Sequence, residues 1–432
     1  MRDEILSLVR KHLKKKSNDW VSYSGDLYDE NEYAAAIETL LDGWLAFGPK
    51  CREFEKKFSK QLGKKFGIFV NSGSSANLLM MMAARSKNGL NLPEGTKIIT
   101  PAACFPTTVN TVIQAGFKPV FVDIELPNLN LNLDQVEQKL EQDPSIRGIC
   151  FAHVAGNPPD MDRLDNIIKK HDLYFFEDCC DALGSSYRDN KLGSYGVMST
   201  CSFYPAHHMT TAEGGYIATD DPKLFKTLNS LRDWGRDCFC NITKPGCAIA
   251  KTGCGNRFRN WLKSLPDEIY DHRYVYREMG FNLKPIEIQG AFGLEQLKKL
   301  PDLEKARKEN YKSLAKIFNR YEQYFSVSKE LKNADTCWFC FLVTVKDNEK
   351  FKKQDLITFL EKNKIQTRPY FAGNLLYHPA YEHLAEEYNL DSDFPVSKIA
   401  TTNSFFIGTF KGIGKEEIQR INASLTEFMQ GV

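Results

Sequence analysis

Short apolar runs rich in β-branched and aromatic residues recur at 67–70, 97–100, 119–122, 148–151, 173–176, 200–204 and 216–219. Each has the length of a buried strand. Between several of them apolar residues repeat at helical spacing, as at 78–84, 133–140 and 161–170. Strands alternating with helices predict an α/β protein with a mostly parallel, seven-stranded sheet covered on both faces. The last two runs flank a polar loop with two histidines and read as a hairpin-like pair. Ligands of such sheets sit beyond the strand C-termini. That rule selects the polar residues at 72–77, 105–108, 153–157, 178–181 and 202–208.

Elsewhere, Ile5, Leu8, Val9 and Leu13 predict an amphipathic first helix, and 33–45 a second. Periodicity breaks between Leu231 and Tyr276, a stretch rich in Cys, Gly, Arg and aromatics. Irregular segments of that length are usually functional. Helical spacing resumes at 285–300 and continues past Tyr311 to Ile317. The runs 338–345 and 355–362 then predict a smaller α+β unit. The expected division is 1–300, a large cofactor-binding domain with an N-terminal helical segment and a Cys-rich insertion at 236–275, and 301–432, a small C-terminal domain.

Lys plus Arg number 57 and Asp plus Glu 55, a balance that offers neither nucleic acid nor an anionic membrane an electrostatic hold. No apolar run approaches the ~20 residues of a membrane span. The N-terminus lacks the apolar core and cleavage site of a secretory signal, so a cytoplasmic protein is expected. Twelve cysteines are many for such a protein. In the reducing cytosol they read as free thiols, metal ligands or cluster ligands rather than disulfides.

The run 67–70 leads directly into Asn71-Ser-Gly-Ser-Ser-Ala-Asn77, a small-residue turn opening a helix. Free amides and the helix dipole make such a turn an anion site, though a plain serine cap explains it equally well. Asp178 follows the run 173–176, where a helix N-cap is the simpler account of a lone aspartate. Phe105, without context, is core packing. His207 and its neighbour His208 are candidates for proton transfer at neutral pH. Cys180 and Cys238 are separated by 57 residues, with Cys240, Cys247 and Cys254 further on. Four thiolates suit a [2Fe–2S] cluster. Zinc ligands usually come as Cys-x2-Cys pairs, none of which occurs among these, but spacing alone does not choose iron.

The segment Ser202-Phe-Tyr-Pro-Ala-His207-His with Glu213-Gly-Gly215 resembles the active-site segment of pyridoxal phosphate-dependent sugar aminotransferases of fold type I (the DegT/DnrJ/EryC1/StrS family). Those enzymes carry at position 207 a lysine that binds the cofactor as a Schiff base; imidazole cannot. Glu177-Asp-Cys-Cys-Asp-Ala-Leu-Gly184, Arg232-Asp-Trp-Gly-Arg-Asp-Cys-Phe-Cys240 and Phe371-Ala-Gly-Asn-Leu375 narrow the resemblance to the CDP-4-keto-6-deoxy-D-glucose 3-dehydratases. It covers nearly the whole chain. The resemblance implies pyridoxamine phosphate held without a covalent link. Gly73, Ser74 and Ser202 would bind its phosphate, Phe105 would stack on its ring, Asp178 would pair with its pyridine nitrogen, and Asp181 would lie near the ring. Asn282 would reach the phosphate from a second subunit, which implies a homodimer with shared active sites. His207 would move the C4′ proton. Cys180, Cys238, Cys240 and Cys254 would hold a [2Fe–2S] cluster fed by a flavin/iron–sulfur, NADH-dependent reductase. Cys247 competes with Cys254, being nearer in spacing but lacking its Arg-Phe context. The substrate class would be a nucleotide-linked 4-keto-6-deoxyhexose, losing its 3-hydroxyl on the way to a 3,6-dideoxyhexose of lipopolysaccharide O-antigen. The alternatives are a cluster-free 3-dehydratase of a GDP sugar, a sugar aminotransferase, and a non-enzymatic scaffold.

Overall fold

A computed structural model describes residues 1–13, 19–238 and 257–432. The seven expected strands form one sheet: β1 (Phe66–Val70), β2 (Lys97–Pro101), β3 (Lys118–Val122), β4 (Ile146–Ala152), β5 (Tyr174–Asp178), β6 (Met198–Ser202) and β7 (Gly215–Thr219). Their spatial order is β1-β7-β6-β5-β4-β2-β3. Four of the pairings are parallel, while β7 runs antiparallel to both neighbours. Successive residues of a strand enter opposite cores. Ile68 and Val70 join the cluster containing Leu79, Met80 and Leu228, and Phe69 joins the one containing Phe54, Phe58 and Phe203. Burial on both faces is why the strands read as continuous apolar runs rather than as alternating ones.

The reversed direction of β7 places its first residue, Gly215, at the edge where β1, β4, β5 and β6 end, opposite Ser202 in register. That edge therefore collects Asn71, His153, Asp178, Ser202 and Glu213. The long helix Glu287–Phe318 joins this layer to the rest of the molecule. Its first half packs on the helices Glu30–Leu41 and Pro49–Phe58, and its last turns enter a second core through Leu314, Ile317 and Phe318. Pro301 lies inside it, next to the 300/301 boundary expected from the sequence. The second core covers an antiparallel sheet of Phe325–Val327, Cys340–Val345, Ser404–Gly408 and Arg368–Pro369, in that order, with helices Lys353–Lys362 and Lys415–Gln430 against it. This is the smaller α+β unit. The first helix spans Arg2–His12, and Val21 then pairs with Ile365 in a parallel bridge. No helix among the described residues is long and apolar enough to cross a membrane.

The contact between Glu287–Phe318 and Pro49–Phe58 depends on Gly290. A Cβ there would lie 2.5 Å from the Cys51 nitrogen and 2.7 Å from its Cα, main-chain atoms that yield only if the helices separate. Gly290→Ala is expected to destabilise the protein by about 1–2 kcal/mol, the overpacking cost less the helix propensity gained. Chemical denaturation of the purified variant measures it, and an unchanged midpoint would show that the pair tolerates wider spacing.

Candidate active site

The strand β1 ends in Asn71, and Ser72 caps the helix Gly73–Arg85 by accepting from the Ser75 amide at 3.0 Å. The first turn of this helix is pressed against β6. A Cβ on Gly73 would stand 2.6 Å from the Ser202 Cβ, so glycine is what lets the helix amides and the serine approach each other. Ser202 ends β6, and its Oγ accepts weakly from the Tyr204 amide at 3.3 Å. Ser74 bonds Thr107 through their hydroxyls at 2.9 Å. The free amides at Gly73 and Ser74, the helix dipole and the Ser202 hydroxyl converge as an anion cradle.

Asp178 ends β5, and its carboxylate is held on three sides. Oδ2 accepts from Asn77 Nδ2 at 2.9 Å and from the Thr108 hydroxyl at 3.3 Å; Oδ1 accepts from the Cys180 amide at 3.0 Å. Asn77 is oriented in turn by the Thr200 hydroxyl, which donates to its Oδ1 at 2.8 Å. The residues after Asp178 form turns, so the aspartate caps no helix there. Phe105 precedes the helix Pro106–Gln114 and is 55% exposed. It is a pocket wall, not core.

His207 lies on the loop between β6 and β7, its amide donating to the Tyr204 carbonyl at 3.0 Å. Its Nδ1 stands 3.6 Å from Asp181 Oδ1 and has no hydrogen-bond partner among the described residues. Its ring packs tilted against Phe339, with centroids 5.2 Å apart. Burial, aided by the Arg307 guanidinium, holds the imidazole down to about 3, against a main-chain contribution from Cys180. Burial and the neighbouring Asp178 charge push Asp181 up to about 8. At neutral pH the imidazole is therefore uncharged. His208 is built differently. It is buried with Nε2 bonded to the Cys337 carbonyl at 2.8 Å, and it does not line this pocket.

These groups face one cavity of about 520 Å³. Gly73, Ser74, Phe105, Asp178, Asp181, Ser202, His207 and Cys180 all line it. Asn282 does not. It is exposed and paired with Asp233 across an isolated bridge. Cys238 is half-buried, and Cys240, Cys247 and Cys254 lie outside the described residues. The smaller unit and the N-terminal strap complete the wall with Tyr23, Arg368, Phe371 and Phe406. Phe371 opens one of the motifs that carried the resemblance, without a role assigned to it; Tyr23, Arg368 and Phe406 were not singled out from the sequence, nor was Asn77, whose only signal was its place in the 72–77 turn. Among the described residues the lining includes no lysine. Lys284, two residues after Asn282, is bonded to Asp233 at 2.6 Å and lies over the Trp234 ring.

A second buried group, His153, Glu177 and Cys179, has the composition of a metal site. The Glu177 carboxylate is already occupied by the amides of Gly193, Tyr195 and Gly196 and by His153 Nε2. It ties β5 to the turn before β6.

Residues 26–426 match the DegT/DnrJ/EryC1/StrS aminotransferase family. The chain is 37% identical over 437 residues to the dTDP-4-dehydro-2,6-dideoxy-D-glucose 3-dehydratase of Saccharopolyspora spinosa, covering 99% of this chain and 92% of that protein. It is 37% identical over 407 residues to the lipopolysaccharide biosynthesis protein RfbH of Salmonella typhimurium, covering 94% and 91%. A solved structure, the GDP-4-keto-6-deoxy-D-mannose-3-dehydratase of E. coli with bound hydrated PLP, matches with a TM-score of 0.80 at 27% identity, covering 94% and 99%. The fold is that of the fold type I enzymes, as the sequence implied.

Proposed function

We propose that this chain, which belongs to the DegT/DnrJ/EryC1/StrS aminotransferase family, is a pyridoxamine phosphate-dependent 3-dehydratase of a nucleotide-linked 4-keto-6-deoxyhexose. One observation carries the reading: an imidazole, His207, faces a pocket with an anion cradle, a fixed carboxylate and an open aromatic ring, and among the described residues no lysine lines it. A sugar aminotransferase needs an amine at that position.

The residues present fit the cofactor. When bound, it supplies a primary amine for the sugar ketone and a ring that takes up electrons from the adjoining carbon. The Gly73 and Ser74 amides and the Ser202 hydroxyl hold its phosphate, Phe105 covers one ring face, and Asp178 pairs with the ring nitrogen. His207 would accept the proton at C4′ and, so protonated, would donate it to the sugar's 3-hydroxyl, which leaves as water. Exposed Asn282 is free to reach the phosphate of a second subunit in a homodimer.

For the reductive half we read Cys180, Cys238, Cys240 and Cys254 as the ligands of a [2Fe–2S] cluster, which supplies one-electron chemistry. A flavin/iron–sulfur, NADH-dependent reductase is the electron source. Position supports Cys180, which lines the pocket; sequence context supports the others. The product is then a 3-deoxy sugar for 3,6-dideoxyhexose synthesis. The nucleotide is read as cytidine, from motif resemblance. A second reading, a cluster-free GDP-sugar 3-dehydratase, is favoured by the likeness to the E. coli structure, but it leaves Cys238 and Cys240 without a use.

Anaerobically purified protein is expected to contain about two irons and two sulfides per chain. With pyridoxamine phosphate it should convert a CDP-linked 4-keto-6-deoxyhexose in preference to its GDP- and dTDP-linked counterparts, and should reach the 3-deoxy product when the reductase is added. Zinc in place of iron would sink the electron-transfer half. Iron-free protein that turns over the GDP sugar would select the second reading.

A further inference from the structure

We propose that Arg307 is a positioning residue for His207: its guanidinium, buried in the long helix, fixes the main chain that aims the imidazole into the pocket. The inference rests on the 3-dehydratase reading. Arg307 is 3% exposed and, among the described residues, is paired with no carboxylate at ion-pair distance. Its donors go to carbonyls and one hydroxyl. Nη2 donates to the His207 carbonyl at 2.9 Å and the Ala206 carbonyl at 3.4 Å. Nη1 donates to the Phe339 carbonyl at 2.8 Å, the Trp338 carbonyl at 3.5 Å and Thr409 Oγ1 at 3.4 Å. One planar fork thus joins the loop carrying His207 to the strand segment carrying Phe339, the residue whose ring packs against the His207 ring.

A buried, unpaired guanidinium is an expensive way to hold two segments together, because its desolvation is not repaid by a counter-charge. Packing alone would be served by an apolar side chain of similar volume. What an apolar side chain cannot do is bond the main chain on both sides of the imidazole at fixed geometry, a task suited to the rigid five-donor fork of arginine. The far end of the loop is held by bonds within itself, such as Thr211 to the Phe203 carbonyl, and by Tyr28, Gln289 and Gln296, which bond Ala212, Glu213 and Thr210; none of these touches Ala206 or His207. The loop's attachment to the smaller unit passes through Arg307, and through His208 to Cys337.

The test compares Arg307→Met and Arg307→Lys with the wild type. The readouts are cofactor affinity by absorbance titration, solvent deuterium entry at C4′ of bound pyridoxamine phosphate, KM and kcat for the nucleotide sugar, and crystal structures of the apoproteins. Arg307→Met should bind cofactor and sugar with wild-type affinity while exchange and kcat fall about 10²-fold, the scale of an ångström-level misplacement of a reacting group. Its apoprotein should show the His207 ring displaced from its place against Phe339. Arg307→Lys, which keeps the charge but not the fork, should recover part of the loss. Wild-type exchange in Arg307→Met, or an unmoved His207 ring, would overturn the inference. If Arg307→Met does not fold, Arg307→Lys decides by the same measure: reduced exchange at unchanged KM supports the inference, and wild-type exchange overturns it. A wild type that exchanges no deuterium would count against the 3-dehydratase reading instead, leaving the apoprotein structures to judge Arg307.

Discussion

Replacing His207 by Asn should abolish deuterium exchange at C4′ of bound pyridoxamine phosphate while the cofactor still binds. General acid–base groups typically contribute about 10²–10⁴ to rate, so the residual exchange should fall by at least the lower figure. The separation of the two readouts follows from how the site is built. The phosphate cradle at Gly73, Ser74 and Ser202 and the ring partners Phe105 and Asp178 belong to the ends of β1, β2, β5 and β6 and the segments after them, and none bonds the imidazole. The loop itself is held through the His207 amide and carbonyl, which asparagine retains. Asparagine therefore removes the proton acceptor with little else. His208 cannot stand in, because its Nε2 is committed to the Cys337 carbonyl and the ring lies off the pocket lining. Exchange that persists in the variant would move the base to another group, with Asp181, 3.6 Å from the imidazole, the first to examine.

The sheet was legible because its strands are buried on both faces, so burial alone wrote seven apolar runs into the chain. Strand direction was less so. Nothing in the run 216–219 distinguishes an antiparallel strand from a parallel one except the shortness of the loop before it, which the hairpin-like reading used. The helical spacing read over 285–300 and on past Tyr311 to Ile317 is one 32-residue helix, and the expected domain boundary at 300/301 falls inside it, at Pro301. Its two halves bury their apolar faces in different cores, so no single stripe runs its length.

In the site, residues next to the glycine and strand-end signals were found, and the ones that orient them were not. Asn77 reaches Asp178 from a helix and is itself oriented by Thr200 from β6, a convergence that no local spacing records. Arg307 stands 100 residues from His207, and only the fold brings it to the His207 carbonyl. Phe105 shows the converse. Core packing was the simplest account of an aromatic before a helix, and its 55% exposure removes that account. The cysteines remain a matter of motif and spacing, since Cys240, Cys247 and Cys254 lie outside the described residues.

Asp178→Asn should separate the chemistry of the carboxylate from its role in the fold. The aspartate accepts from Asn77 and Thr108 on one oxygen and from the Cys180 amide on the other. Asparagine has one oxygen, so its amide group must face either Asn77 Nδ2 or the Cys180 amide, both donors. Asn77 cannot simply turn over, because its own oxygen accepts from the Thr200 hydroxyl. One buried donor is left unpaired, at a cost of about 1–3 kcal/mol. Denaturation of the apoprotein measures that cost with no cofactor present. The loss of charge has a separate consequence. Without an anion beside it, the ring nitrogen is no longer held protonated, and the ring becomes a poorer electron acceptor. Removal of one preorganised electrostatic partner typically costs about 10²–10³-fold in rate, and C4′ exchange should fall on that scale. Asp178→Glu restores the charge but displaces it by one methylene, so it should recover more exchange than stability. Should Asp178→Asn lose stability yet exchange at the wild-type rate, the carboxylate would be a structural anchor only, and the partner of the ring nitrogen would have to be sought elsewhere in the pocket.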